Sequence, residues 1–421
     1  MPEMKDSGIE WIGTIPADWD IVKIGHLFTV RNMRNYLPED KVQLLSLYTG
    51  IGVFPQGEHT TASGNHAQTV EGYKIVKRND IVVNIILAWM GAIGVSNYDG
   101  VTSPAYDVYK PDTNKVVPHY FHYVFRTSGI AGECYKYGRG IMLMRWRTYS
   151  QEFKQIKVPL PNVECQERIA RFLDSKCAEI DALIADIQSE IEILEEYKKS
   201  VITEAVTKGL NSAVQMKDSG IEWAAKVPEH WKIMANKYVM KKVKEISPKY
   251  SGEDILSLTM NGVIVRDLDA GGKMPATFDG YQRVYAGNLL MCLFDYDVTP
   301  RCIGLVKNNG LTSPAYSQFV MKNGNSAKYY YYYYLMIDNT KELLHLAKNL
   351  RHSFTEDQLG AINTPVPPIE EQVDIANYLD VKIEQIEQTI GLKKEQLETL
   401  EEYKKSVIYE YVTGKKEVPL S

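Results

Sequence analysis

The sequence predicts an α+β protein: two mixed α/β domains joined by two long helices that pair as an antiparallel coiled coil, an internal duplication with a pseudo-twofold arrangement. Three observations predict this. First, Leu194-Glu195-Glu196-Tyr197-Lys198-Lys199-Ser200-Val201-Ile202 returns unchanged, 206 residues later, as Leu400-Glu401-Glu402-Tyr403-Lys404-Lys405-Ser406-Val407-Ile408. An identity of that length marks a duplication. Second, both copies lie in segments whose apolar residues recur at alternating intervals of three and four, as in paired helices. Third, each such segment trails a block of short apolar stretches separated by turn residues, the pattern of strands. The blocks run 1–157, 158–210, 211–364 and 365–421.

Composition narrows the class. A chain of 421 residues is too long for one ordinary core,. Its five cysteines, Cys134, Cys165, Cys177, Cys292 and Cys302, are scattered and show no CxxC spacing, which argues for a reducing compartment and against a zinc site,. Met1-Pro2-Glu3-Met4-Lys5-Asp6 lacks the order of a signal peptide, and no apolar run is long enough to span a bilayer, so a cytoplasmic protein is expected,. The formal charge of −5 counts against a stand-alone nucleic-acid binder but leaves room for local basic surfaces,.

The first block opens with Met4-Lys5-Asp6-Ser7-Gly8-Ile9-Glu10-Trp11 and Ile15-Pro16-Ala17-Asp18-Trp19. Its counterpart opens with 216–223 and Val227-Pro228-Glu229-His230-Trp231. Each tryptophan pair brackets a short loop that is expected to pin the start of its domain. Strands are expected at 42–47, 72–76 and 81–87, and again at 254–258, 281–285 and 288–293,. Between the first two of each set lies a Gly-rich polar stretch, 48–66 or 259–273, without the phosphate-loop or dinucleotide pattern,. Thr102-Ser103-Pro104-Ala105-Tyr106 and Thr312-Ser313-Pro314-Ala315-Tyr316 then mark a turn that restarts a strand, with the tyrosine buried,.

Six consecutive tyrosines, Tyr329 to Tyr334, align with Tyr120-Phe121-His122-Tyr123-Val124-Phe125. A tyrosine run could serve as a platform for unpaired bases. On a helix, however, successive side chains point about 100° apart, so one face cannot hold all six. The expectation is core packing with hydroxyl tips in water.

The stretch before each long helix is basic and aromatic. One reads Tyr135-Lys136-Tyr137-Gly138-Arg139-Gly140-Ile141-Met142-Leu143-Met144-Arg145-Trp146-Arg147-Thr148-Tyr149, the other Leu346-Ala347-Lys348-Asn349-Leu350-Arg351-His352-Ser353-Phe354. Arginine interleaved with aromatics suits phosphate contact and bidentate reading of guanine. Ordinary surface arginines paired with acids give the same pattern. The candidate nucleic-acid contacts are Arg139, Arg145 and Arg147 with Tyr48 and Asn65 in the first half, and Arg266, Arg301, Arg351 and His352 in the second.

Val158-Pro159-Leu160-Pro161 and Thr364-Pro365-Val366-Pro367-Pro368 lead into the long helices, with Glu164 and Glu370-Glu371 at their positive ends,. The seam comprises Ile180, Ile184, Ile187, Ile191, Leu194 and Val201 on one helix, and Ile386, Ile390, Leu397, Leu400 and Val407 on the other. Lys393 interrupts where Ile187 stands in the first copy, and Gly391 is the one glycine inside the second seam. Tyr197, Lys198, Tyr403 and Lys404, retained in both copies, leave a second surface that a partner could use.

These residues carry a family resemblance. The opening Met4–Trp11 motif, the Ser103-Pro104-Ala105-Tyr106 block and the spacer motif are together similar to the specificity subunit of Type I restriction–modification systems. The spacer motif reads Pro367-Pro368-Ile369-Glu370-Glu371-Gln372, Ile375-Ala376 and Tyr378-Leu379-Asp380. The first copy departs at Asn162 and Cys165 but keeps Gln166, Ile169, Ala170, Leu173 and Asp174. The resemblance implies two target-recognition domains, each reading half of a split double-stranded DNA target through the major groove, held apart by helical spacers. It further implies two methyltransferase subunits and, through them, restriction subunits as partners. S-adenosylmethionine, ATP and Mg would then belong to those partners, with no cofactor, metal or catalytic residue in this chain.

Two other classes of protein fit the sequence less well. A self-contained DNA-modifying enzyme needs an Asn/Asp-Pro-Pro-Tyr/Phe loop, which Ser103-Pro104-Ala105-Tyr106 matches only superficially. A coiled-coil adaptor without sequence readout would leave two domains with basic loops unexplained.

Overall fold

The computed structural model describes residues 3–58, 69–141, 146–269, 275–347 and 352–419. It resolves into two compact units, Met1–Ile187 with Glu395–Ser421, and Gln188–Lys394. These cut across the sequence blocks, because each unit includes a stretch of both long helices, Val163–Lys208 and Ile369–Val412.

The duplication is repeated strand for strand. In the first unit a four-stranded antiparallel sheet runs in the order Phe28–Val30, Tyr106–Pro111, Ile81–Asn84, Ile93–Val95. In the second the order is Met240–Val243, Ser317–Met321, Leu289–Met291, Ile303–Leu305. Both units add matching hairpins, Leu45–Tyr48 with Gly52–Pro55 and Leu256–Thr259 with Gly262–Val265. Strand Lys157–Leu160 pairs with Asp20–Lys23, and Asn363–Val366 with Lys232–Ala235, so the proline hinge of each long helix is itself a strand. A proline tolerates this because each of these sheets has only two strands, leaving its missing N–H on a free edge,.

Aromatic helices cover the sheets. In Ala327–Thr340 every tyrosine of the run except the half-buried Tyr331 is fully buried. Sequence places their hydroxyl tips in water; four of them are instead bound to protein, and that of Tyr334 is buried without a partner among the described residues. Tyr329 donates to Val206 O (2.9 Å), Tyr330 to Pro365 O (3.0 Å) and Tyr332 to Asp380 Oδ1 (2.8 Å), while Tyr333 accepts from Trp223 Nε1 (2.9 Å). The reason is that the long helices, the hinge strand and the Trp223 loop close over these four ring ends and supply the partners that buried hydroxyls favour,. Tyr106 and Tyr316 also differ from expectation: they are half-buried, packed beside a small second core rather than within it.

Within each unit the two helices run antiparallel. In the first, Phe172 packs on Tyr411 with ring centroids 4.4 Å apart, and Asp181 meets Lys404 at 2.5 Å. In the second, Glu190 meets Lys393 at 2.5 Å, and Lys198 lies 3.9 Å from Glu387. Ile180, Val201, Ile386, Ile390 and Val407 are buried, whereas Ile184, Ile187, Ile191, Leu194, Leu397 and Leu400 are half-buried. That gradient is expected where two helices alone share a seam and water reaches its flanks. Gly391 does not interrupt the second helix. Among the described residues, no helix is long and apolar enough to cross a membrane.

A buried glutamine anchors each helix start. Gln166 accepts from Val117 N (2.8 Å) and donates to Lys115 O and Pro161 O (both 2.9 Å). Gln372 accepts from Ser326 N (2.8 Å) and donates to Asn325 Oδ1 and Pro367 O (both 2.9 Å). One amide thus ties hinge, long helix and aromatic helix together in both units.

Candidate nucleic-acid interface

In each unit the basic loop docks against the loop between the third and fourth sheet strands. In the first unit Thr148 N donates to Ile85 O (2.9 Å), and Trp89 packs on Tyr135 (6.1 Å), which stacks on Trp146 (5.0 Å). Gly138 is required here, since a Cβ would come within 2.5 Å of the Trp146 indole nitrogen. Leu87 and Met90 are exposed on one of these segments, and Arg139 and Ile141 on the other. In the second unit Phe354 N donates to Leu293 O (2.7 Å) and Tyr296 N to His352 O (3.3 Å), exposing Val298 at the tip. Exposed aliphatic side chains next to arginine suit thymine methyls and guanine edges respectively.

The residues singled out from sequence are placed as follows. Arg139 is exposed, ion-paired with Glu152 and 5.9 Å from the Tyr149 ring centroid, and its backbone bridges that of Arg147 (2.9 and 3.0 Å). Arg147 is half-buried, with Nη1 donating to Trp146 O (2.8 Å). Tyr48 is half-buried in its hairpin, its hydroxyl accepting from Gly57 N (3.2 Å). Arg266 is half-buried just past the second hairpin. His352, with φ +42°, holds Nδ1 at 2.9 Å from Asp297 Oδ2. Arg301 turns inward, with Nε 4.0 Å from the buried Asp338, and lines a groove of about 860 Å³ together with Lys198, Lys328 and Tyr331. Asn65, Arg145 and Arg351 lie outside the described residues.

Of the helix surface residues, Lys404 pairs with Asp181 on the opposite helix (2.5 Å), whereas Lys198 pairs with Glu195 on its own helix (2.7 Å) and lies 3.9 Å from Glu387 on the other. Tyr197 and Tyr403 point outward, each nearly half exposed. The hairpins also differ in how they are held. In the first unit Arg126 donates to Ile51 O and His122 lies against Gly52, while Leu335 lines the groove on the corresponding helix of the second. Leu87, Met90 and Val298, exposed at the loop tips, are not among the candidate contacts singled out from sequence.

Two like frames, each presenting a basic and aromatic loop pair of its own sequence, define a duplicated recognition protein. The chain belongs to the family of the Type I restriction modification DNA specificity domain, whose model matches residues 16–193 and 302–402. It is a specificity subunit, the non-catalytic component of such systems. It is 24% identical to the protein named as the type I restriction enzyme MjaX specificity subunit of Methanocaldococcus jannaschii, over 96% of this chain and 95% of that one. To the type I restriction enzyme MjaVIII specificity subunit of the same organism it is 25% identical, over 95% and 93%. Its fold also matches a chain from a structure of type I R-M complex assembly and conformational transition. That match has a TM-score of 0.65 at 14% identity, covering 96% of this chain and 99% of the other.

Proposed function

We propose that this chain reads a bipartite, asymmetric DNA target, one half-site per unit, with an unread gap of fixed length between them. It docks two adenine-methyltransferase subunits and, through them, restriction subunits. S-adenosylmethionine, ATP and Mg act in those partners, and the complex works in the cytoplasm. One observation carries the reading: the sheet order and the helix-anchoring glutamine are the same in both units, while the paired loops are built from different residues. Equal frames with unequal loops read unequal sequences, and phosphate contacts alone would carry no sequence information.

The test is methylome sequencing of a host expressing the complete system. Two dissimilar half-sites at constant separation are expected; a palindrome, or methylation without sequence preference, would overturn the reading. Gel-shift titration of the assembled complex over a range of salt should show affinity falling steeply, as phosphate contacts require.

A further inference from the structure

The loop of residues 292–302 in the second unit is held from below by two charged side chains at the end of the tyrosine helix. Lys341, the left-handed residue that ends that helix (φ +55°), donates from Nζ to Thr299 O (2.8 Å) and to Asp338 Oδ1 (2.6 Å). The same ammonium lies 3.4 Å from Cys302 Sγ and 4.7 Å from the centroid of the Tyr296 ring. Asp338 is buried, and its other oxygen accepts from Cys302 N (2.8 Å). One ion pair thus fixes the loop at Tyr296, Thr299 and Cys302, on both sides of Val298, which is 72% exposed.

The first unit holds its corresponding loop by neutral groups. Asn84 Oδ1 accepts from Ile86 N (3.0 Å), and Trp89 Nε1 donates to Ile86 O (3.0 Å). The two units therefore share a sheet but not the device that presents the loop above it.

We infer that Asp338 and Lys341 are positioning residues for recognition, setting the conformation in which the Val298 loop meets its half of the target. This rests on the reading of the chain as a two-half-site DNA reader. Neither group reaches the loop's outer face, so each acts through Thr299 and Cys302. A half-buried ammonium with one carboxylate, one carbonyl and one ring as partners has a single favourable position, and the loop inherits that position,. Without the cation, the Thr299 carbonyl loses its donor and the buried Asp338 loses its nearest charge partner, with only the Arg301 guanidinium left at 4.0 Å, so the loop must find another arrangement,.

The experiment uses the full chain with its methyltransferase and restriction partners, comparing wild type, Lys341→Met and Lys341→Arg by methylome sequencing. Lys341→Met should lose about tenfold or more of its discrimination against mismatches in one half-site, with the other half unchanged, and Lys341→Arg should restore it. A merely structural residue would instead lower methylation at all sites together. Unchanged discrimination, or equal loss in both halves, overturns the inference. If Lys341→Met does not assemble, Asp338→Asn carries the test with the same two outcomes, because it can keep an acceptor for Cys302 N while removing the charge and the acceptor that Lys341 uses,. A wild-type complex without sequence preference would sink the functional reading; a selective wild type with equally selective variants sinks this inference alone.

Discussion

Gln166 and Gln372 show how much rests on single buried amides. Each satisfies three partners in a place water does not reach. Gln166→Ala would leave the Val117 N–H and two carbonyls unpaired, and roughly 1–3 kcal/mol is lost for each buried group without a partner. We expect about 3 kcal/mol or more, read as a lower midpoint in urea for the first unit alone. His122 yields a second residue-scale prediction. Burial, and next the Arg126 guanidinium, then His119 and Lys404, hold its imidazole down to about 3. The unfolded chain protonates it near its ordinary value of about 6.5 while the folded one does not, so unfolding is favoured as pH falls. Stability is complete above about pH 6.5 and drains towards pH 3 by up to ~1.4 kcal/mol per pH unit. His122→Gln should flatten that acid limb in urea titrations between about pH 7 and pH 5; an unaltered slope counts against the assignment. The importance of Gln166 was half legible in the sequence, since both copies keep it. Its partners at 115–117 lie some fifty residues away and could not be read from the helix pattern.

At the scale of elements, periodicity was the reliable signal and loop chemistry the unreliable one. The long helices were legible because their seam repeats over many turns, and the tyrosine run because six successive residues cannot share one helical face. The loops before the long helices were legible only as basic and aromatic. What fixes them, the Tyr135–Trp146 stack in one unit and the Asp338–Lys341 pair in the other, depends on which segments meet in space. That is also why Arg301, attractive as a base contact, turns towards Asp338 instead. The seam offers an element-scale test at Lys393, which pairs with Glu190 across the second unit's helices. Its side chain is 29% exposed, so the pair is worth little, whereas an apolar residue would extend the seam,. Lys393→Ile should therefore raise the thermal midpoint modestly, with a gain of about 0.5–1 kcal/mol, and leave methylation specificity as it was. A fall in stability would show that the lysine is needed to set helix register.

For the molecule as a whole, the repeat revealed that there are two frames but not how the chain completes each of them. Both long helices carry the same seam, so the pattern cannot say which end of which helix supports which sheet. Length decides it: at 1.5 Å per residue, a helix of 46 residues extends about 69 Å, more than one domain of about 150 residues can cover,. The first unit therefore draws its last structural part from the far end of the chain. Val407, Ile408, Tyr411 and Val412 are buried in its core. Tyr120 donates to Val412 O (3.0 Å), Tyr409 to Trp11 O (3.0 Å) and Lys415 to Thr14 O (2.5 Å). Ending the chain after Lys394 removes all of these. Four large apolar side chains at about 1.5–3 kcal/mol each amount to roughly the whole stability of an ordinary domain. The second unit, which lies wholly within Gln188–Lys394, loses none of its core. Hydrogen exchange on the truncated chain should show the strands of residues 28–30, 81–84 and 106–111 fully exchanging while those of 289–291 and 317–321 stay protected. Protection retained in both sets would mean that the first sheet is self-sufficient and the returning helix only a spacer.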